Sequence, residues 1–152
     1  MKKDAIILNL PKDLGDGLLA VPAIKRLKEY AEAEGVPLVV TGSVRSKDWV
    51  ETMAGFKLDA REGDALAALN PRFAVNFNFY DADSLGKTFP DAPVYAPEKL
   101  RVLETDEKDF GAGAVLGKKH ISLLLEDTLK NAGVMGVNEK LAPPQLPPRT
   151  AP

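Results

Sequence analysis

The chain has 152 residues, a mass of 16.4 kDa and a net charge of −2, with 20 basic against 22 acidic side chains. This length fits one domain with a sizeable buried core, and the balanced charge gives no support for a nucleic-acid partner. The sequence has no cysteine and one histidine, which excludes disulfides, thiolate metal sites and metal centres built from several histidines. Its apolar runs are too short for a membrane span or a secretory signal, so we expect a cytoplasmic protein.

The N-terminal part of the chain changes from a strand pattern to a helix pattern and back. Ala5–Leu10 is a short apolar run rich in β-branched residues, which is typical of a strand buried on both faces. From Leu14 to Ala31, apolar residues recur at steps of three and four, which predicts an amphipathic helix that ends at Gly35. Pro22 either kinks this helix or marks the first turn of its regular part.

The same alternation continues along the chain. Further strands are predicted at Leu38–Thr41, Phe56–Ala60, Phe73–Phe77, Val94–Tyr95 and Leu100–Leu103, and further helices at Trp49–Met53, Asp64–Leu69 and from Lys119 to about Ala132. Strands and helices that alternate with short connections form parallel βαβ units. We therefore predict an α/β fold, a Rossmann-like three-layer open sheet with mostly parallel strands, in which the first, second and fourth strands are parallel neighbours.

The C-terminal residues differ in composition from the rest. Five prolines fall within Leu141–Pro152, and proline favours extended geometry and cannot continue a helix. We expect a Rossmann-like domain over residues 1–137 and a Pro-rich linker or tail over residues 138–152.

The segment between the first strand and the first helix is the most informative. Gly15-Asp16-Gly17-Leu18-Leu19-Ala20 fits the G-x-G-x-x-A form of a dinucleotide site. However, Asp13 and Asp16 place two carboxylates where a helix N-terminus would attract a phosphate, and no acid follows the second strand. A nucleotide-binding Rossmann module therefore remains an alternative.

Asp16 itself has two interpretations. An acid beside a helix start can cap the free amides and complement the helix dipole. Alternatively, Asp16 is a general base at the edge of the sheet, and Gly15 and Gly17 allow a substrate to approach closely.

Residues 4–31 resemble the start of the lipopolysaccharide heptosyltransferases, glycosyltransferase family 9. The family opens with a strand, a Gly-Asp pair, several apolar residues and Pro-Ala-Leu before a basic helix. Here these features are Gly15-Asp16, Leu18–Val21 and Pro22-Ala23-Ile24. His120-Ile121-Ser122 and the leucines after it are similar to the helix that closes the family's N-terminal domain.

This resemblance implies the acceptor-binding half of an inverting glycosyltransferase of the GT-B type. The first half of such enzymes handles the acceptor and carries the aspartate of the Gly-Asp pair, here Asp16, as the catalytic base. The second half binds the ADP-sugar, and its place falls at the Pro-rich stretch of this sequence. We therefore expect no activity without a donor-binding half, whether in the same chain or in a separate one, and a glycan or lipid-linked sugar as acceptor. No cofactor or metal is expected, and membrane contact is at most peripheral, at the inner membrane.

The expected substrate-binding residues surround Asp16 or follow the fourth strand: Lys12, Asp13, Gly15, Gly17, Asp81, Ser84 and His120. Family members often carry Lys or Ser after the fourth strand, near the phosphates of the acceptor. In this chain Asp81 and Asp83 occupy that segment, and two acids suit a phosphorylated acceptor poorly. Asp83 also fits a helix cap, and a non-catalytic interaction domain is a further alternative.

Overall fold

The computed structural model describes residues 3–12, 14–78, 80–97 and 121–142. Within these ranges, the chain forms an all-parallel sheet of five strands in the order β3-β2-β1-β4-β5. The strands are β1 (Ala5–Asn9), β2 (Leu38–Thr41), β3 (Asp59–Ala60), β4 (Pro71–Asn76) and β5 (Val94–Tyr95). The predicted Rossmann-like α/β fold is confirmed, and so is the parallel pairing of β1 with both β2 and β4.

Four helices connect successive strands: α1 (Leu14–Glu34), α2 (Val44–Ala54), α3 (Gly63–Ala67) and α4 (Ser84–Thr88). A further described helix, α5 (Ile121–Asn131), follows the last described strand. Pro22 lies inside α1, well past the first turn, so it does not mark the start of the helix. Gly35 follows α1 with a φ of +70°, a backbone conformation that glycine adopts without a side-chain clash.

The two faces of the sheet are covered by different helices. On one face, Ile6, Leu8 and Val40 belong to the larger apolar cluster, to which α1, α2 and α5 also contribute. On the other face, Ile7, Val39 and Ala74 belong to a smaller cluster. The smaller cluster is completed by Leu66 of α3 and by Leu85 and Phe89 at α4. α3 and α4 have five residues each, so the described helices on this face are short.

The two edge strands are short. β3 consists of two exposed residues, whereas the sequence predicted a longer strand over Phe56–Ala60. An edge strand has one neighbour and little burial, so its apolar pattern is weaker than that of a central strand. β5 lies at the predicted position, whereas the expected strand at Leu100–Leu103 falls outside the described residues.

The chain after α5 stays attached to the domain as far as Leu141. Arg26 of α1 forms a bidentate ion pair with Glu139, and Glu126 of α5 accepts a hydrogen bond from the Leu141 amide at 2.8 Å. The Leu141 side chain also packs against the larger apolar cluster. Residues 143–152 of the predicted Pro-rich tail are outside the described part of the structure. No helix in the described ranges is both long enough and apolar enough to span a membrane.

Candidate functional site

Three adjacent strands end in polar side chains at the same level of the sheet. Asn9 is the last residue of β1, and it pairs in register with Thr41 of β2 and with Asn76 of β4. Side chains alternate along a strand, so these three side chains continue the face that carries Ile7, Val39 and Ala74. The chain therefore forms a polar row where the apolar face of the sheet ends.

This row lies at the point where the order of the strands reverses. The chain passes from β1 to β2 and then to β3 on one side of β1, and β4 lies on the other side of β1. In open α/β sheets, the connections from two such neighbouring strands run in opposite directions. Ligands bind in the crevice that this leaves at the carboxyl ends of the two strands. The pair Asn9 and Asn76 spans this position.

Asp81 is tied to both asparagines. The Asn9 side-chain amide donates one hydrogen bond to Asn76 Oδ1 at 3.1 Å and another to Asp81 Oδ2 at 3.4 Å. The Asn76 side-chain amide donates to the Asp81 backbone carbonyl at 2.6 Å. The loop after β4 is thus fixed to the ends of both strands, with the Asp81 side chain next to Asn9.

Ser84 supplies the other donors to Asp81. Its hydroxyl donates to Asp81 Oδ2, and its backbone amide donates to Asp81 Oδ1 at 3.1 Å. Burial of the Asp81 carboxyl by itself favours the neutral acid, but the hydrogen bonds from Ser84 and Asn9 favour the carboxylate more. The net result is that the pKa of Asp81 is lowered from its usual value, so Asp81 is ionised at neutral pH.

These groups line an open cleft of ≈ 440 Å³. A cleft of this size could hold a sugar or a similar small polar molecule. Lys12 contributes from the loop between β1 and α1, and its amino group lies 5.6 Å from the centroid of the exposed Tyr80 ring. The lining residues are mainly polar: Asn9, Lys12, Thr41, Gly42, Ser43, Leu66, Asn78, Asp81, Ser84, Leu85 and Thr88.

Gly42 forms the part of the cleft beside β2 and lies close to Asn9. Its φ is +111°, and a Cβ atom at this position would lie 2.8 Å from Asn9 Oδ1 and 3.2 Å from the backbone N and O of Leu10. Only glycine allows β2 to end this close to the Asn9 side chain.

The loop that carries Lys12 is held by α2. The buried Ser46 side chain donates a hydrogen bond to the Pro11 carbonyl, and Ser43 caps the start of α2 by accepting from the Ser46 amide at 3.3 Å. This contact fixes the path of the chain from β1 to α1.

Asp16 lies in the first turn of α1 and is half-buried. It does not line the cleft described above. Because only residues 10–13 separate β1 from α1, the first turn of α1 is at the same edge of the sheet as Asn9. The position is compatible with both interpretations of Asp16, as an acid that complements the helix dipole and as a base presented at the edge of the sheet.

Gly15 and Gly17 both lie within α1. A dinucleotide site uses its first glycines in the turn that precedes the helix, so the G-x-G-x-x-A pattern has a different structural role in this chain. Gly17 is buried against α2, and the nearest atoms to a Cβ built there are Ser46 Oγ at 3.7 Å and Ser46 Cβ at 3.9 Å.

The structure thus brings three of the predicted substrate-binding residues, Lys12, Asp81 and Ser84, to one cleft. Asp13 and His120 lie outside the described residues. Sequence reasoning missed Asn9, Thr41 and Asn76 as members of the site. Each of them is a polar residue at the end of a strand, and their proximity follows only from the register that places Asn9 beside Thr41 and Asn76.

In the described ranges, no group of three or more histidine or carboxylate side chains is arranged to hold a metal ion. No protein-family model, curated protein or solved structure matches the chain. The fold is therefore assigned from the topology of the sheet, and the function is argued from the cleft.

Proposed function

We propose that this chain is the acceptor-binding half of an inverting glycosyltransferase of the heptosyltransferase type. It would act with a donor-binding half that holds the nucleotide sugar, either in the same polypeptide or as a separate chain. The acceptor would be a glycan or a lipid-linked sugar.

One observation carries this proposal, namely the hydrogen-bonding character of the cleft at the carboxyl ends of β1, β2 and β4. Among the described residues, amides, hydroxyls and one carboxylate line it, together with one lysine and two leucines. Sugar hydroxyls both donate and accept hydrogen bonds, so a mixed lining of this kind suits a carbohydrate. The apolar side chains Leu66 and Leu85 could contact the C–H groups of a sugar ring.

The role proposed for Asp16 follows from its place at the start of α1. In an inverting transfer, an acceptor hydroxyl attacks the anomeric carbon of the donor while the bond to the nucleoside diphosphate breaks. The Asp16 carboxylate would take the proton from the attacking hydroxyl, a contribution of roughly 10²–10⁴ in rate for a well-placed base. The resemblance of residues 4–31 to family 9 supports this assignment.

The test needs both halves of the enzyme. This chain would be joined to the donor-binding half of a heptosyltransferase, and transfer from ADP-heptose to a panel of glycan acceptors would be followed by mass spectrometry. We expect Asp16→Asn to lower turnover at least a hundredfold, because an amide cannot accept the proton at neutral pH. The control is Asp48→Asn, which removes the same charge from an exposed position on α2.

Two results would contradict the proposal. One is equal turnover by the parent fusion and Asp16→Asn, which would leave Asp16 as a helix-terminal acid only. The other is a fusion that is folded and binds ADP-heptose yet transfers sugar to none of the acceptors.

A further inference from the structure

Among the described residues that line the cleft, Asp81 is the one carboxylate, and no described cation forms an ion pair with it. Lys12 and Asp81 are the charged residues among the described residues that line it. They do not form an ion pair with one another in the described part of the chain, and the Lys12 amino group lies over the Tyr80 ring instead. The hydrogen-bond donors to the Asp81 side chain are neutral groups of Asn9 and Ser84, and the neutral backbone amide of Asp83 also favours the charged carboxyl group.

The Asp81 carboxylate is also fixed in place. Asp81 Oδ2 accepts hydrogen bonds from Asn9 and from the Ser84 hydroxyl, and Oδ1 accepts from the Ser84 amide. Moving the carboxylate away from a ligand would break these contacts.

Several donors that could bind an anion are already engaged. The Asn9 amide donates to both Asn76 and Asp81. The Ser84 hydroxyl donates to Asp81, and the Thr88 hydroxyl donates to the Ser84 carbonyl at 2.9 Å. A phosphate carries acceptor oxygens and nearly two negative charges at neutral pH, so it needs such donors and would lie near a carboxylate with which no described cation forms an ion pair.

We propose that the cleft binds an uncharged, hydroxyl-rich part of the acceptor and that Asp81 is the specificity-determining residue that excludes a phosphate from this position. This inference rests on the proposed function and adds the chemical class of the acceptor at the cleft. A hydroxyl group of the ligand donates to the half-buried Asp81 carboxylate, whereas a phosphate at the same place is repelled. For charges about 5 Å apart near a protein surface, the repulsion weakens binding by roughly tenfold or more.

The experiment uses the 152-residue chain and does not require a donor-binding half. ¹H–¹⁵N correlation spectra would be recorded at neutral pH during titration with mannose, glucose and galactose and with the 6-phosphate of each. We expect at least one neutral sugar to shift amides around the cleft, such as those of Asn78 and Ser84. Its 6-phosphate should bind at least tenfold more weakly.

Asp81→Asn should reduce this discrimination by about tenfold, because it removes the charge and keeps a similar shape. Asp83→Asn is the matched control, since Asp83 is an exposed acid two residues away that does not line the cleft. The control should leave the discrimination unchanged. The comparison of neutral and phosphorylated sugars in the parent chain needs no variant, so it remains decisive even if Asp81→Asn does not fold.

The outcomes separate this inference from the proposed function. A phosphorylated sugar that binds at the cleft as tightly as its neutral form overturns the inference and leaves the transferase proposal in place. If Asp81→Asn and Asp83→Asn change the discrimination between neutral and phosphorylated sugars equally, Asp81 is not the residue that excludes phosphate. If no sugar of either kind shifts the cleft amides, the proposed function fails and the inference fails with it.

Discussion

Gly42 provides the sharpest test of how the cleft is built, because the Gly42→Ala change adds a methyl group at a position that has no room for it. The new Cβ would lie 2.8 Å from Asn9 Oδ1 and 3.2 Å from two backbone atoms of Leu10, and the backbone φ of +111° is itself unfavourable for alanine. The backbone conformation costs about 1–3 kcal/mol and the overpacking about 1–3 kcal/mol. We therefore expect Gly42→Ala to lower the free energy of unfolding by roughly 2–6 kcal/mol.

The measurement is urea denaturation followed by circular dichroism, with the midpoint and slope fitted for each variant. Gly55→Ala is the matched control, because Gly55 also has a positive φ, +80°, but nothing lies within 4 Å of an added Cβ. This control should lose only about 1 kcal/mol, from the left-handed conformation alone. Equal losses in the two variants would refute the close contact between Gly42 and Asn9.

Two further predictions concern the start of α1 and the Asp81 network. Gly17→Ala should stabilise the domain by about 0.5–1 kcal/mol in the same urea assay. Alanine favours the helix more than glycine does, and the new Cβ makes only ordinary contacts with Ser46. A loss of stability would show that this site does not tolerate a side chain. The folded state lowers the pKa of Asp81, so the stability that Asp81 contributes is present above its unfolded-state pKa, near 4, and is lost as the pH falls through its folded-state pKa. The difference in unfolding free energy between the parent and Asp81→Asn should therefore shrink below about pH 4, as measured by urea denaturation at several pH values. A difference that stays constant down to about pH 2 would contradict the conclusion that ionised Asp81 stabilises the fold.

The sequence by itself determined the class of the fold. Apolar runs such as Ala5–Leu10 must be buried on both faces, and the helical stripe from Leu14 to Ala31 needs a surface on which to pack. Alternation of these two patterns leaves parallel βαβ units as the arrangement that buries both, and the structure confirms it. The sequence also indicated that Lys12, Asp81 and Ser84 follow strand ends, which is why they could be proposed as site residues.

Only the tertiary structure decided which side chains meet at the strand ends. Asn9 and Asp81 are 72 positions apart, and their contact depends on the register of β4 beside β1 and on the path of the loop after β4. The alternation of strands and helices predicted that β1 and β4 are neighbours, but it carries no record of that register or of that path. The requirement for glycine at position 42 has the same origin, since it arises from the Asn9 side chain and the Leu10 backbone on the neighbouring strand. The cleft is therefore a product of long-range packing between segments whose individual patterns are those of ordinary strands.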